Sequence, residues 1–302
     1  MNFDSATANS TSPYLLLASL SAIFMGTIGA IAVYANLSSE TVTFFRLFLG
    51  GIIMLVYLAV DKKLALLRCW PSWQVIINGA FLAGFIVFYI QAMSYTSMAN
   101  AIMTIYLAPV VASITAHFLF SEKLNAQSFG LILFALLGFA MMMEFKVEFG
   151  SGSQDARGML YAVLAMVCYS CFILINRSIP PHVHVFTRSW YQLMVGAVCM
   201  LPFMLMQNES IALTQWAWLT IAGLIPGFLA ILFAVIALRE LPSATFGTLS
   251  YLEPIAVVSL AWMLFGQTLS PLQLAGCMVI MASGIMQAVA AQKPQSKPIE
   301  AN

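Results

Sequence analysis

Charge is what this sequence has least of. Asp, Glu, Lys and Arg make up 8% of its 302 residues, against about 25% in soluble globular chains. A water-soluble fold would have almost nothing to cover its surface with, so the chain reads as an integral membrane protein. The net charge is only +1, which gives no reason to expect a nucleic-acid partner or an acidic substrate surface. Histidine is scarce: His117, His182 and His184 are the three, and none has a second ligand at metal-binding spacing. The five cysteines (Cys69, Cys168, Cys171, Cys199, Cys277) are odd in number and lie mostly in apolar runs, which does not describe a disulfide framework. Cys168 and Cys171 form a CxxC inside an apolar run and read as small packing residues. HExxH, GxSxG and phosphate-loop motifs are absent. The longest linker, EFKVEFGSGSQDA, has 13 residues, so there is no soluble loop system to carry enzyme chemistry. No basic residue precedes the first apolar run and no small-residue cleavage site follows it, so the first span is expected to stay as a membrane helix.

What the chain does have is hydrophobic length, 62% of all residues. A spanning helix needs roughly 20 apolar residues. Ten runs qualify, approximately 14–36, 41–60, 72–93, 97–119, 127–144, 158–176, 185–206, 213–237, 243–265 and 271–290. An even count puts both termini on one side. With termini inside, the cytoplasmic segments hold Lys62, Lys63, Arg68, Lys123, Arg177, Arg188, Arg239, Lys293 and Lys297, and the opposite side only Lys146 and Arg157. That asymmetry predicts cytoplasmic termini. The expected division is a tail 1–13, a five-helix repeat 14–144, an extracytoplasmic linker 145–157, a second five-helix repeat 158–290 and a tail 291–302.

The repeat rests on a comparison of residues 92–124 with 237–269. At an offset of 145, Ala92 meets Ala237, Tyr106 meets Tyr251, Leu107 meets Leu252 and Pro109 meets Pro254. One inserted residue later, Gly130 meets Gly276 and Gly138 meets Gly284. Asn125 and Ser270 both suit helix N-caps, and Pro271 suits a first helical position. Five is odd, so the second copy lies upside down in the bilayer, the arrangement of many secondary transporters. The expected fold class is an all-α polytopic membrane protein, ten transmembrane helices in two inverted five-helix repeats.

These landmarks resemble the EamA-type branch of the drug/metabolite transporter superfamily. They are the Arg46-to-Gly50 R-x-x-x-G in span two, the proline in span four followed by small residues, FSEKL after it, and LEP in span nine. The resemblance implies a central cavity, an inner-membrane location and carriage of small organic metabolites. It departs at Gln267, where the family's second half often has Glu.

Candidate transport residues come from polarity inside the spans. Pro109 and Pro254 each remove a helical hydrogen bond, to Ile105 and Ser250 respectively. They are read as kinks, either gating bends or packing bends. Glu253 lies about ten residues, roughly 15 Å of helix, from either end of its span. An acid at that depth is expensive unless paired, hydrated or protonated, so it is a candidate for proton coupling or for binding a substrate amine. Arg46 either anchors a carboxylate in the cavity or snorkels to the interface. Asn100, Tyr106, Thr248, Ser250 and Tyr251 are candidate cavity-lining groups, with Tyr95, Thr104 and Thr245 nearby. Trp190 and Tyr191 are either cavity or belt aromatics. Trp73, Trp216 and Trp218 are expected at the interfaces. Glu122 and Lys123 read as a solvated turn. Gly79 with Ala83, and Gly223 with Gly227, are expected to permit close helix packing.

The expected function is secondary active transport of a small organic metabolite across a bacterial inner membrane by alternating access. An amino acid or a related amphipathic or aromatic compound fits best, and efflux is one direction open. Uptake of a ring vitamin such as riboflavin is an alternative within the superfamily. A non-transporting sensor or scaffold, or an intramembrane enzyme, is the alternative of another class. No cofactor or metal is expected, proton coupling is open, and the partners are a small-molecule substrate and the lipid bilayer, with a monomer or homodimer as the assembly.

Overall fold

The computed structural model describes residues 11–68, 71–120, 125–146 and 153–292. Among them every regular element is helical. The first half comprises α1 (Ser12–Ala35), α2 (Ser39–Val60), a 3-10 turn Leu64–Arg68, α3 (Trp73–Tyr95), α4 (Met98–Ile105), α5 (Ala108–Leu119) and α6 (Ala126–Met142). The second comprises α7 (Ser153–Ser178), α8 (Val185–Gln207), α9 (Leu213–Ala222), a π turn Gly223–Leu229, α10 (Ala230–Glu240), α11 (Ser243–Ser250), α12 (Leu252–Phe265) and α13 (Pro271–Gln292). Nine helical stretches among the described residues are long and apolar enough to cross a bilayer, and α6 is a shorter apolar helix of 17 residues. The chain is an all-α polytopic membrane protein.

Local chemistry sets the helix ends. Ser38, Ser97 and Asn125 stand before α2, α4 and α6, and their side-chain oxygens accept from the backbone N–H three residues on, at 3.3, 3.2 and 2.6 Å. Such caps satisfy one of the orphan donors of each first turn. The polar turn residue Asn36 (φ 50°) ends α1 and Gly266 (φ 63°) ends α12, both in the left-handed conformation that stops a helix cleanly.

The halves interlock rather than sit side by side. Helix α2 packs on α8 and on the π turn, α3 on α7 and α8, α1 on α10 and α12, α5 on α11, and α6 on α13. The α6–α13 crossing depends on bare backbone. A Cβ on Gly138 would lie 2.9 Å from the Gly276 carbonyl oxygen. Close backbone approach is the usual way to join helices where lipid removes the hydrophobic drive between them.

Two expectations change. The prolines do not kink continuous helices. The chain breaks instead, between α4 and α5 at Tyr106–Leu107 and between α11 and α12 at Tyr251. Pro109 and Pro254 then occupy the first turns of new helices, where a missing N–H costs nothing. Arg188, counted above among the cytoplasmic cations, is 1% exposed inside α8. Its Nε donates to the Val183 carbonyl at 2.9 Å and its Nη2 to the Pro180 carbonyl at 2.6 Å, because the preceding loop folds back over it. Trp218 stacks its ring on Tyr34, near the end of α1, at 4.8 Å. The remaining proline of interest, Pro226, sits in the π turn, whose shifted bonding absorbs the missing donor. Cys69, Glu122, Lys123, Lys293 and Lys297 lie outside the described residues.

Candidate functional site

The two helix breaks meet. Tyr251, fully buried, donates from its hydroxyl to the Tyr106 carbonyl at 2.5 Å. Their rings lie 5.6 Å apart, and Phe139 of α6 packs on Tyr106 at 4.3 Å. The backbone on each side is fixed from the other half. Ser170 of α7 donates to the Ala108 carbonyl at 3.2 Å. Gly26 of α1 lies under Glu253, where an added Cβ would be 2.8 Å from the Glu253 carbonyl oxygen. Ala108 and Glu253 are counterparts at the 145-residue offset; the first is met by a hydrogen bond and the second by close packing, and only the second carries an acid.

Glu253 opens α12 directly after the break. Its carboxyl is half-buried. Tyr106 is among its polar neighbours. Tyr89 of α3, Tyr169 of α7 and Arg46 of α2 are its further polar neighbours. Ser250, at the end of α11, donates to the Gly247 carbonyl at 2.7 Å, and the Tyr169 ring stacks on Phe85 at 4.9 Å. Residues of α2, α3, α7 and the α4–α5 break thus neighbour one acid.

Arg46 does not snorkel. It is 7% exposed, its neighbours Phe45 and Leu47 are core residues, and its Nε has no hydrogen-bond partner. It is the charged neighbour of Glu253 without forming an ion pair at 4.0 Å or less. Opposite charges held apart in a tyrosine-lined setting can take the two ends of a zwitterion, an ammonium at the carboxylate and a carboxylate at the guanidinium fork.

Of the residues singled out from sequence, Arg46, Tyr106, Tyr251 and Glu253 come together, with Ser250 bonded locally and Pro109 and Pro254 at the edges of the breaks. Asn100 and Thr248 make hydrogen bonds local to their own segments. Asn100 Nδ2 donates to Thr96 Oγ1 at 3.2 Å, and Thr248 Oγ1 donates to the Ala244 carbonyl at 2.9 Å. Tyr191 donates to the Leu67 carbonyl at 3.3 Å. Tyr89 and Tyr169 were missed, since a tyrosine within an apolar run carries no spacing signal. No cluster of three or more potential metal ligands occurs among the described residues. A pocket of about 400 Å³ lies away from this site in an apolar groove between α4 and α6 lined by Met103, Leu107 and Leu137.

Known proteins share this organisation. Residues 12–144 and 156–287 each match the EamA-like transporter family. An uncharacterized transporter from Archaeoglobus fulgidus is 22% identical over 263 residues, 87% of this chain and 92% of that protein. The threonine/homoserine exporter RhtA of Salmonella typhimurium is 25% identical over 298 residues, 95% of this chain and 94% of that protein. A solved crystal structure superposes with a TM-score of 0.80 at 20% identity, covering 94% of this chain and all of that one, a likeness of fold.

Proposed function

Because this chain belongs to the EamA-like transporter family, we propose that it is a secondary carrier for a small zwitterionic metabolite, an amino acid or a close relative, working by alternating access. The observation that carries this reading is Arg46 and Glu253, opposite charges from different halves that lie near enough to influence each other without a direct ion pair. A free amino acid presents the complementary pair of charges. The exporter named for threonine and homoserine, similar over 95% of this chain, supports that class and favours export. The Phe85–Tyr169 stack gives the same site an aromatic wall and favours substrates with an apolar or aromatic side chain. A ring vitamin offers no ammonium to Glu253 and fits less well.

Glu253 also supplies a coupling device. A carboxyl that is costly to leave charged and unpaired takes a proton when the substrate ammonium departs and yields it when the next one arrives, which links transport to a proton flow. The protein sits in a bacterial inner membrane with both termini cytoplasmic, as the excess of Lys and Arg on one side predicts.

The test is counterflow in proteoliposomes with radiolabelled threonine, homoserine and aromatic amino acids. Trans-accelerated exchange is expected for at least one of them, lost in Glu253→Gln and in Arg46→Gln at unchanged protein yield. Absence of counterflow for every zwitterion tried, or full exchange in both variants, overturns the proposal.

A further inference from the structure

The inverted copy of the Arg46 element lies at the other face of the bundle. From Thr41, α2 reads TVTFFRLFLG, and from Thr187, α8 reads TRSWYQLMVG. At an offset of 146, Thr41 meets Thr187, Leu47 meets Leu193, Gly50 meets Gly196, and Arg46 meets Gln192. The packing is equivalent too. Gly227, in the third span of the second half, lies against the Arg46 carbonyl. Gly79, in the third span of the first half, lies against the Gln192 carbonyl, 3.0 Å from where its Cβ would sit.

This second seam, α3 against α8, is uncharged and poorly satisfied. Both amide atoms of Asn78, the hydroxyl of Ser189 and Oε1 of Gln192 are buried without a hydrogen-bond partner, and all three residues are 0% exposed. Only Gln192 Nε2 is engaged, donating to Asn176 Oδ1 at 2.8 Å. The seam is shut from its own face of the bundle. Thr187 Oγ1 donates to the Leu66 carbonyl at 2.8 Å and Tyr191 to Leu67, while Arg188 ties down the loop at Pro180 and Val183.

A buried polar atom without a partner carries its full desolvation penalty, and inside a membrane no water from the lipid side relieves it. Such atoms persist only where another need keeps them. A second state in which α3 and α8 part and the seam is wetted supplies that need.

We infer that Asn78, Ser189 and Gln192 form the wall of the passage leading from the face that carries Lys62 to the Arg46–Glu253 site, closed in this conformation. The inference rests on the carrier reading above. The chemistry suits a small polar or zwitterionic solute. Amides and a hydroxyl bond to carboxylate or ammonium without net charge, so they let it through, whereas the charged pair at the centre holds it. The same unpaired atoms load the closed state against itself, so closure of this face is reversible.

The test is thiol accessibility in sealed vesicles, using a membrane-impermeant thiosulfonate from either side of the full chain. Lys62→Cys marks the face, and Val198→Cys, at a lipid-exposed position, is the unreactive reference. Asn78→Cys and Ser189→Cys are expected to react from the Lys62 face only. Asn78→Leu, similar in size and free of the unpaired amide, is expected to raise the melting temperature in detergent and to slow labelling of Ser189→Cys about tenfold. If neither position reacts from the Lys62 face, or if Asn78→Leu lowers the melting temperature, the seam is permanent core and the inference falls. Neither readout needs a transported substrate, so its failure and a failure of counterflow are separate results.

Discussion

The hydroxyl of Tyr251 bonds to the backbone carbonyl of Tyr106, its own counterpart 145 residues earlier. One side chain thereby closes both helix breaks on each other. The relationship is not mutual, because the Tyr106 side chain neighbours Glu253 instead. Duplication supplied two equivalent tyrosines, and the acid present in only one half gave them different work. Tyr251 is fully buried and holds the bundle, whereas Tyr106 is half-buried and faces the site.

Phenylalanine at each position separates these roles. Tyr251→Phe leaves a buried carbonyl unpaired, a loss of about 1 kcal/mol, and is expected to lower the melting temperature in detergent by a few degrees. Tyr106→Phe leaves that bond untouched because its acceptor is backbone. Its melting temperature is expected to stay within error of the parent while substrate half-saturation in counterflow rises. Equal melting temperatures for the two variants would contradict the assignment.

Arg46 offers a sharper chemical test. Lysine keeps the charge but loses the planar fork that meets a carboxylate with two hydrogen bonds. Arg46→Lys is expected to weaken substrate half-saturation by about tenfold, equivalent to roughly 1.4 kcal/mol, while maximal exchange stays within about twofold. A fall in maximal exchange at unchanged half-saturation would show instead that Arg46 serves the conformational change.

Much of this was legible in the sequence because a bilayer restricts the options. Apolar runs become spans, caps such as Asn125 mark their starts, and an acid in the middle of a span stands out. The offset that aligned Tyr106 with Tyr251 located the two breaks, although it could not say that the helices stop there. A proline reads as a kink until the chain is known to restart just before it, which makes the same proline a harmless first-turn residue. Arg188 misled because a cation near a span end counts as wet, and nothing in the order of residues reveals that a Pro-Pro loop folds over it. Tyr89 and Tyr169 were invisible for a different reason. Each is one aromatic among many, and only the convergence of α3 and α7 on Glu253 distinguishes them.

Packing around Arg46 predicts a contrast between two glycines. A Cβ on Gly227 would collide with the Arg46 carbonyl, whereas one on Gly29 meets nothing within 4 Å. Gly227→Ala must push α2 away from the π turn, an overpacking cost of about 1–3 kcal/mol. It is expected to lower both the melting temperature and counterflow, since Arg46 moves with its backbone. Gly29→Ala replaces a poor helix former at an open position and is expected to leave the fold intact or raise its stability by up to about 1 kcal/mol. Thermal unfolding of the two purified variants beside the parent decides the matter.

The face opposite Lys62 is tied by a carboxylate, which makes its stability depend on pH. Glu209, in the loop after α8, accepts from the Ser38 hydroxyl and the Ser38 N–H, both at 2.9 Å. Partial burial pushes its pKa up, but hydrogen bonds from Thr41 and Ser38 together outweigh that and hold it below the ordinary 4.5. A carboxyl with a depressed folded pKa binds protons less readily in the native state, so its contribution is fully present above the unfolded value and is lost as pH falls through the folded one. The tie should therefore be intact at pH 7 and fail only below about pH 4.5. Its contribution is small because Glu209 is exposed. Glu209→Gln is expected to lower the melting temperature slightly at pH 7 and to match the parent at pH 3, so that the difference between the two proteins shrinks across that window. A difference that stayed constant from pH 7 to pH 3 would mean that the charge of Glu209 has no part in holding the α1–α2 turn to the α8–α9 loop.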